Sequence, residues 1–287
     1  MSKFETFRRL HHRGADEGPL LLPNAWDHAT AAALYRRGFP AVATSSLGVA
    51  AAAGLRDGSG AARSHTLALG MGIARLPVPV SVDIEGGFSD DPSEVALLAS
   101  QLAEAGVAGV NLEDGRADGT LTGTERHAAK IRAVKAAAPE LFVNARTDAY
   151  WLGTDATPGG CLRRCAAYVA AGADGVFVPG LVELGEIATV ARELPVPLNV
   201  LHSPGLASAR RLSDAGVSRV GLGSLPFRAA LQHAVDLAWT IATADGGSPD
   251  GAPVPSPVPG YAQVQSLHEE FSRADPHRAG TCREWSW

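Results

Sequence analysis

The chain has 287 residues, 46% hydrophobic and 19% charged, with a mean hydropathy of +0.03. That composition fits a globular protein with a large core and excludes a disordered chain. A net charge of -5 and a pI of about 6.0 argue against a nucleic-acid or anionic-membrane partner. No run of about 18 apolar residues predicts a membrane helix, and the polar opening MSKFETFRRLHHRG lacks the apolar stretch of a secretory signal. A cytoplasmic protein is expected.

In chain order, short apolar runs predict eight strands. They lie near Leu20–Pro23, Ala41–Ser45, Val80–Ile84, Gly109–Glu113, Phe142–Arg146, Gly175–Pro179, Leu198–Leu201 and Arg219–Gly223. None alternates apolar with polar, as expected of parallel strands covered on both faces. A repeated layout supports this reading: Gly38, Gly106, Gly172 and Gly216 each precede a valine by four residues, ending a helix before a strand. Asp91-Pro92-Ser93-Glu94 reads as a helix start, and Asp27 as the cap of a helix over His28–Arg37.

Eight βα units predict a (β/α)8 TIM-type barrel over residues 1–245. The rival is a doubly wound sheet, which wants a glycine-rich loop after strand 1; Pro23-Asn24-Ala25-Trp26-Asp27 is not one. Residues 246–287 read as a Pro/Gly linker, an extra C-terminal helix over about Ala262–Ala274, and a tail. Trp285 and Trp287 in that tail predict packing on a partner subunit. Cys161 and Cys165, four apart on a helix, read as packing residues; with Cys282 they form no CxxC and support no zinc site. The only lysines are Lys3, Lys130 and Lys135. None falls at a strand end, which disfavours a Schiff-base aldolase.

Active groups of a barrel sit at the C-terminal ends of its strands. Asp83 and Glu85 are two apart at the end of strand 3, so a strand would point both to one side. Glu113 ends strand 4, and Asp57 lies in a nearby loop. Converging carboxylates repel unless a cation joins them. All-oxygen donors favour Mg²⁺, with Mn²⁺ as the alternative. The competing reading is separate caps and surface ion pairs. Arg146 ends strand 5 and suits a substrate carboxylate, or an ion pair with Asp148 or Glu113. Ser45, Ser46 and Leu47 form a turn whose amides could hold an oxyanion, or a plain turn. His202, ending strand 7, is an acid/base candidate or a structural histidine.

The ordered set Leu22-Pro-Asn-Ala-Trp-Asp27, Thr44-Ser-Ser46 through Gly54-Leu-Arg-Asp57, Val82-Asp-Ile-Glu-Gly86, Asn111-Leu-Glu-Asp114 and Asn144-Ala-Arg-Thr-Asp148 resembles the isocitrate lyase/phosphoenolpyruvate mutase superfamily. The resemblance spans about residues 5–240. It implies a Mg²⁺-binding barrel that stabilises an enolate of a 2-oxo acid while a C–C or C–P bond breaks. It also implies a homo-oligomer, dimer or tetramer, with a C-terminal helix exchanged between subunits. By position, Asp83, Glu85 and Glu113 match the metal-site acids and Asp57 an acid near them. Arg146 matches the substrate-carboxylate arginine, Ser45, Ser46 and Leu47 the oxyanion turn, and Asn199 a pocket asparagine.

The chain also departs from the pattern. The segment Gly115–Gly123 lacks the lyase cysteine and histidine, and also the lysine and asparagine of the mutases. Gly180 stands where lyases carry a glutamate, and Glu85 replaces the usual aspartate. Asp148 and His202 are the candidates for relocated acid/base chemistry, and the glycine-flanked loop could close as a lid. The expected activity is Mg²⁺-dependent C–C cleavage of a small 2-hydroxy or 2-oxo carboxylic acid. The alternatives are C–P chemistry and a non-catalytic carboxylate-binding protein.

Overall fold

The computed structural model describes residues 1–14, 17–243 and 258–272. Nine strands form one sheet, all pairs parallel. They are β1 (Leu20–Leu22), β2 (Asn24–Ala25), β3 (Val42–Thr44), β4 (Val80–Asp83), β5 (Gly109–Glu113), β6 (Phe142–Arg146), β7 (Gly175–Val178), β8 (Leu198–Leu201) and β9 (Val217–Gly221). β1 pairs with β9 and β2 pairs with β3, so the segment from Leu20 to Ala25 carries both ends of the sheet and rolls it into a TIM-type barrel.

The expected first strand is thus two short ones. Pro23 between them has no N–H to give to a ladder, and the chain changes partner there. The other seven strands fall where expected. β3, β4 and β7 are buried at every position, which is why their sequences run apolar without alternation. Gly38, Gly106, Gly172 and Gly216 all adopt positive φ at helix ends, as the repeat requires. Asp27 caps the helix His28–Arg36 (α2) through Thr30 N–H at 2.7 Å.

The end of the barrel where the strands begin is closed by the N-terminal helix Lys3–Leu10 (α1). Ser2 and Glu5 cap it reciprocally. Its Phe7 is fully buried and meets Phe142 edge-on at 5.4 Å, while His11 stacks on Phe142 at 4.2 Å. Gly109 permits this approach, since a Cβ there would lie 2.7 Å from the Phe7 ring. Cys161 and Cys165 are buried in the helix Pro158–Ala170 and pack in the core, as expected.

Two features lie outside the barrel wall. The helix Leu225–Thr243 (α3) buries none of its residues, and Leu231, Val235 and Trp239 form an exposed apolar stripe at four-residue spacing. The expected final helix is broken into Tyr261–Gln265, a 3₁₀ turn Ser266–His268, and Glu269–Ser272. This segment packs on its own barrel: Glu270 pairs with Arg36 of α2 at 2.6 Å, and Phe271 meets His28 edge-on. Most of the predicted linker, the end of that helix, Cys282, Trp285 and Trp287 lie outside the described residues. Among the described residues no helix is long and apolar enough to cross a membrane.

Candidate active site at the C-terminal end of the barrel

Two joined cavities open where the strands end. The outer one, about 530 Å³, is lined by Asp57, Glu85, Glu113, Arg146, Asp148 and the loop from Gly115 to Thr122, among others. The inner one, about 160 Å³, reaches into the barrel past Ser45, Ser46, Leu47, Asp83 and Asn111 to Asn199 and Arg219. Asp57, Arg146 and Trp151 line both. The sequence-derived candidates therefore converge, with one exception. His202 is exposed and lines neither cavity; the chain turns outward after β8.

Glu113 and Arg146 end neighbouring strands in direct register. Arg146 holds Glu113 at 2.8 Å through Nη1 and Asp148 through Nε at 2.7 Å and Nη2 at 3.2 Å. The ion-pair alternative raised from the sequence is thus the arrangement seen. Burial, which disfavours the charged guanidinium, is outweighed by Glu113, Asp148 and Asp83, so Arg146 is held charged more firmly than usual.

Glu85 is placed differently from the sequence argument. β4 ends at Asp83, and Glu85 lies in the following turn at φ +49°. A left-handed residue other than glycine costs about 1–2 kcal/mol. The backbone bend, not strand alternation, brings Glu85 beside Asp57 and the amides of Gly58 and Gly60.

Burial pushes the Asp83 carboxyl up to about 6, against the pull of Arg146. Burial, with Asp57 and Asp83 nearby, pushes Glu85 up to about 7. Glu113 is pushed well above the usual carboxylate range by burial, Arg146 opposing. Five carboxyls thus crowd two guanidiniums, and a bound cation would relieve that excess. The all-oxygen donor set is of the kind a hard divalent ion takes. Glu85 Oε1 and Asp57 Oδ1 are buried without a protein partner, which fits donors awaiting a ligand. Among the described residues, however, no three His, Cys, Asp or Glu side chains stand closed as a ligand set, and Glu113 leans on Arg146.

Three glycines explain local departures. At Gly115 a Cβ would fall 2.1 Å from Asp148 Oδ2, so Asp148, just past β6, needs a bare backbone opposite. Gly180 has φ +86°, and a Cβ there would meet the Trp151 amide at 3.0 Å. The Tyr150–Trp151 backbone fills the space beside it. The 115–123 loop is a small hairpin, bridged between Gly115 and Leu121, and Ala117 comes within 3.8 Å of a Cβ built on Gly58. The two loops meet across the outer mouth.

Two residues were not anticipated. Asp114, fully buried, accepts from Thr147 Oγ1, Asp148 N–H, Arg164 Nη1 and Tyr168 OH at 2.6–2.9 Å. It fixes the segment that carries Arg146 and Asp148. Arg219 on β9 is 1% exposed and reaches Asn111 Oδ1 at 3.3 Å. An arginine inside a strand buried on both faces was the available signal.

The sequence profile of the family described as phosphoenolpyruvate phosphomutase matches residues 7–242. An uncharacterized protein of Mycobacterium tuberculosis is 42% identical over 261 residues, covering 91% of this chain and 95% of that one. A 2-methylisocitrate lyase of Halalkalibacterium halodurans is 32% identical over 232 residues, covering 76% of each. A solved phosphonopyruvate hydrolase, complexed with oxalate and Mg²⁺, superposes with a TM-score of 0.78 at 25% identity, covering 97% of this chain and 99% of that one. The chain is an enzyme of the isocitrate lyase/phosphoenolpyruvate mutase superfamily, a group of Mg²⁺-dependent lyases and mutases of C–C and C–P bonds.

Proposed function

We propose that this enzyme is a lyase that cleaves a C–C bond of a small 2-hydroxy or 2-oxo carboxylic acid through an enolate, with Mg²⁺ at Asp83, Glu85 and Glu113. The carrying observation is that Glu85 and Glu113 line the outer cavity and Asp83 the inner one, while Asp57 and Arg146 line both. Mg²⁺, when bound, supplies Lewis-acid polarisation of the substrate oxygen that becomes the enolate.

The residues of the chain do the rest. Arg146, kept charged and steered by Asp148, offers a planar guanidinium to the substrate carboxylate in competition with Glu113. The Ser46 and Leu47 amides, which open the helix Ser46–Ala52 and have no acceptor within it, border the inner cavity and suit an oxyanion, while the Gly48 amide is taken by Ser45 Oγ. Asp57 faces both cavities with a free Oδ1 and is the best-placed group to hold the proton moved at the reacting carbon. Asp148 is engaged by Arg146 and serves mainly to position it. The hairpin 115–123 and the 57–60 loop exclude water at the mouth.

C–C chemistry is favoured over C–P because the mouth cations are already engaged. Lys130 donates to Gly86 O at 2.8 Å, and Lys130 and Arg116 both lie 3.5 Å from Asp90. A phosphonate would want them free. The apolar stripe of α3 further supports a homo-oligomer in which a second copy of this chain covers Leu231, Val235 and Trp239.

The test is a turnover screen of small 2-hydroxy and 2-oxo acids with Mg²⁺, alongside 3-phosphonopyruvate with phosphate detection. The reading expects a carbonyl or 2-oxo acid product from a carboxylic acid substrate and no phosphate. Phosphate release alone would move the enzyme to C–P chemistry, and no turnover at all would favour a carboxylate-binding protein.

A further inference from the structure

Three of the four residues that follow Ile84 hold left-handed backbone: Glu85 at φ +49°, Gly87 at +88° and Phe88 at +58°. Glycine takes that region freely and other residues do so at a cost, so the turn is strained at Glu85 and Phe88. Such strain persists only where the surroundings hold it. Here three successive carbonyls are tied. Ile84 O accepts from Gly87 N–H at 2.8 Å, Glu85 O from Glu113 N–H at 2.9 Å, and Gly86 O from Lys130 Nζ at 2.8 Å. The first two donors are backbone amides; the third is a side chain. Gly87 also needs its bare backbone, since a Cβ there would lie 2.6 Å from Val95.

Lys130 reaches the turn from the helix Thr124–Ala137, is 4% exposed, and lines the outer cavity. It also lies 3.5 Å from Asp90, a largely exposed carboxylate that contributes little at that distance. The residue type is informative. The chain has three lysines among 25 lysines and arginines, and all three end on backbone carbonyls: Lys3 on Ala74 and Leu76, Lys135 on Pro139 and Leu141, and Lys130 on Gly86. A compact ammonium fits a carbonyl that a flat guanidinium would not, while the guanidinium suits carboxylates, as at Arg146. The charges felt most by the Glu85 carboxyl are those of Asp57 and Asp83, so Lys130 bears on Glu85 through the backbone.

We infer that Lys130 is a positioning residue: by holding Gly86 O it locks the strained 85–88 turn and fixes where the Glu85 carboxylate stands over the cavity. Without the ammonium, Gly86 O loses its partner and the turn is free to relax, which carries Glu85 away from Asp57. Groups that orient a metal ligand matter nearly as much as the ligand, and losing one lowers metal affinity by about 10–100-fold. The inference rests on the assignment of Glu85 to the metal site, and the experiment separates the two.

The experiment uses the whole protein and two readouts. The first is amide hydrogen exchange of the metal-free protein, which reads the turn itself. Lys130→Met should speed exchange of the Gly87 and Glu113 amides by about tenfold or more. The Ala108 and Phe142 amides, bonded to Val80 O and Ala108 O low in the barrel, should stay within about twofold. The second readout is calorimetric titration with Mg²⁺ alone. Lys130→Met should weaken binding by about tenfold or more. In a Glu85→Gln background the same change should cost less than about twofold, because the ammonium acts through that carboxylate. Lys130→Gln, one bond shorter than lysine, should give the same pattern and covers the case in which Lys130→Met does not fold. Unchanged Gly87 exchange would overturn the inference. So would exchange that rises equally at all four amides, which is general destabilisation, or faster Gly87 exchange with Mg²⁺ affinity unchanged. An equal Mg²⁺ loss with and without Glu85→Gln would also overturn it, since Lys130 would then act independently of Glu85. A wild type that binds no Mg²⁺, with Gly87 exchange still dependent on Lys130, would count against the metal reading and leave the lock on the turn standing.

Discussion

Where the strands begin, Phe7, His11 and Phe142 stack in a plug beside a small cavity lined by His11 and Gly216, and burial, with Arg219 adding to it, lowers the His11 pKa to about 3, so it stays neutral. Where the strands end, Asp57, Asp83, Glu85, Glu113 and Asp148 are gathered around open volume, and charge is balanced only in part by Arg146 and Arg219. The first end removes charge to gain packing. The second retains excess charge at a cost in stability, which ligands then repay by binding the folded state. Conformational strain follows the same division, with Glu85 in the left-handed region at the open end.

The largest expected effects break one end at a time. Phe7→Ala should lose about 3–5 kcal/mol of unfolding free energy, read by denaturant titration, with ligand affinity of the remaining folded protein unchanged. Arg146→Ala should cost a similar 3–5 kcal/mol, because Glu113 and Asp148 are left buried and unpaired. Asp83→Ala should behave in the opposite sense. It relieves crowding, so metal-free stability should hold or rise, while Mg²⁺-dependent ligand binding falls by about a hundredfold or more, read by calorimetry.

A smaller effect is the pH dependence of the metal-free protein, where the two ends pull in opposite directions. Asp83 and Glu85, raised to about 6 and 7, retain protons in the folded state that the unfolded chain has already released. Their contribution to stability therefore falls as pH rises from about 4 to about 7. His11, lowered to about 3, stays neutral where the unfolded chain is protonated, so its contribution rises with pH from about 3 to 6.5. Glu85→Gln should remove roughly 2–3 kcal/mol of the decline, and His11→Phe should flatten the acid side. Melting temperatures across pH 4–8 check both. The smallest effect is expected from His202→Ala, exposed and away from both cavities, with less than about a twofold change in ligand affinity.

Much of this contrast is written in the residues themselves. The strands were legible because parallel strands covered on both faces must be apolar throughout, and the helix stops because Gly106 and Gly172 take backbone conformations other residues resist. The acids were legible because carboxyls rarely end buried strands without a use. What was not legible depended on the path of the chain just past a strand. His202 and Arg146 both end strands, yet the chain after β8 turns one outward while β6 keeps the other over the cavity. Glu85 reaches the site through a strained turn that no periodicity encodes. Arg219 is legible only as an arginine in an apolar strand run; its burial follows the closure of the barrel, where it lies opposite Leu20 of β1.

The most direct test of the open end as an enolate site is calorimetric titration of the wild-type enzyme with oxalate, with and without Mg²⁺. Oxalate has the shape and charge of a pyruvate enolate. The account predicts tight binding with Mg²⁺ and none without it. Binding that ignores Mg²⁺, or no binding in either condition, would contradict the assignment of Asp83, Glu85 and Glu113 as the metal site.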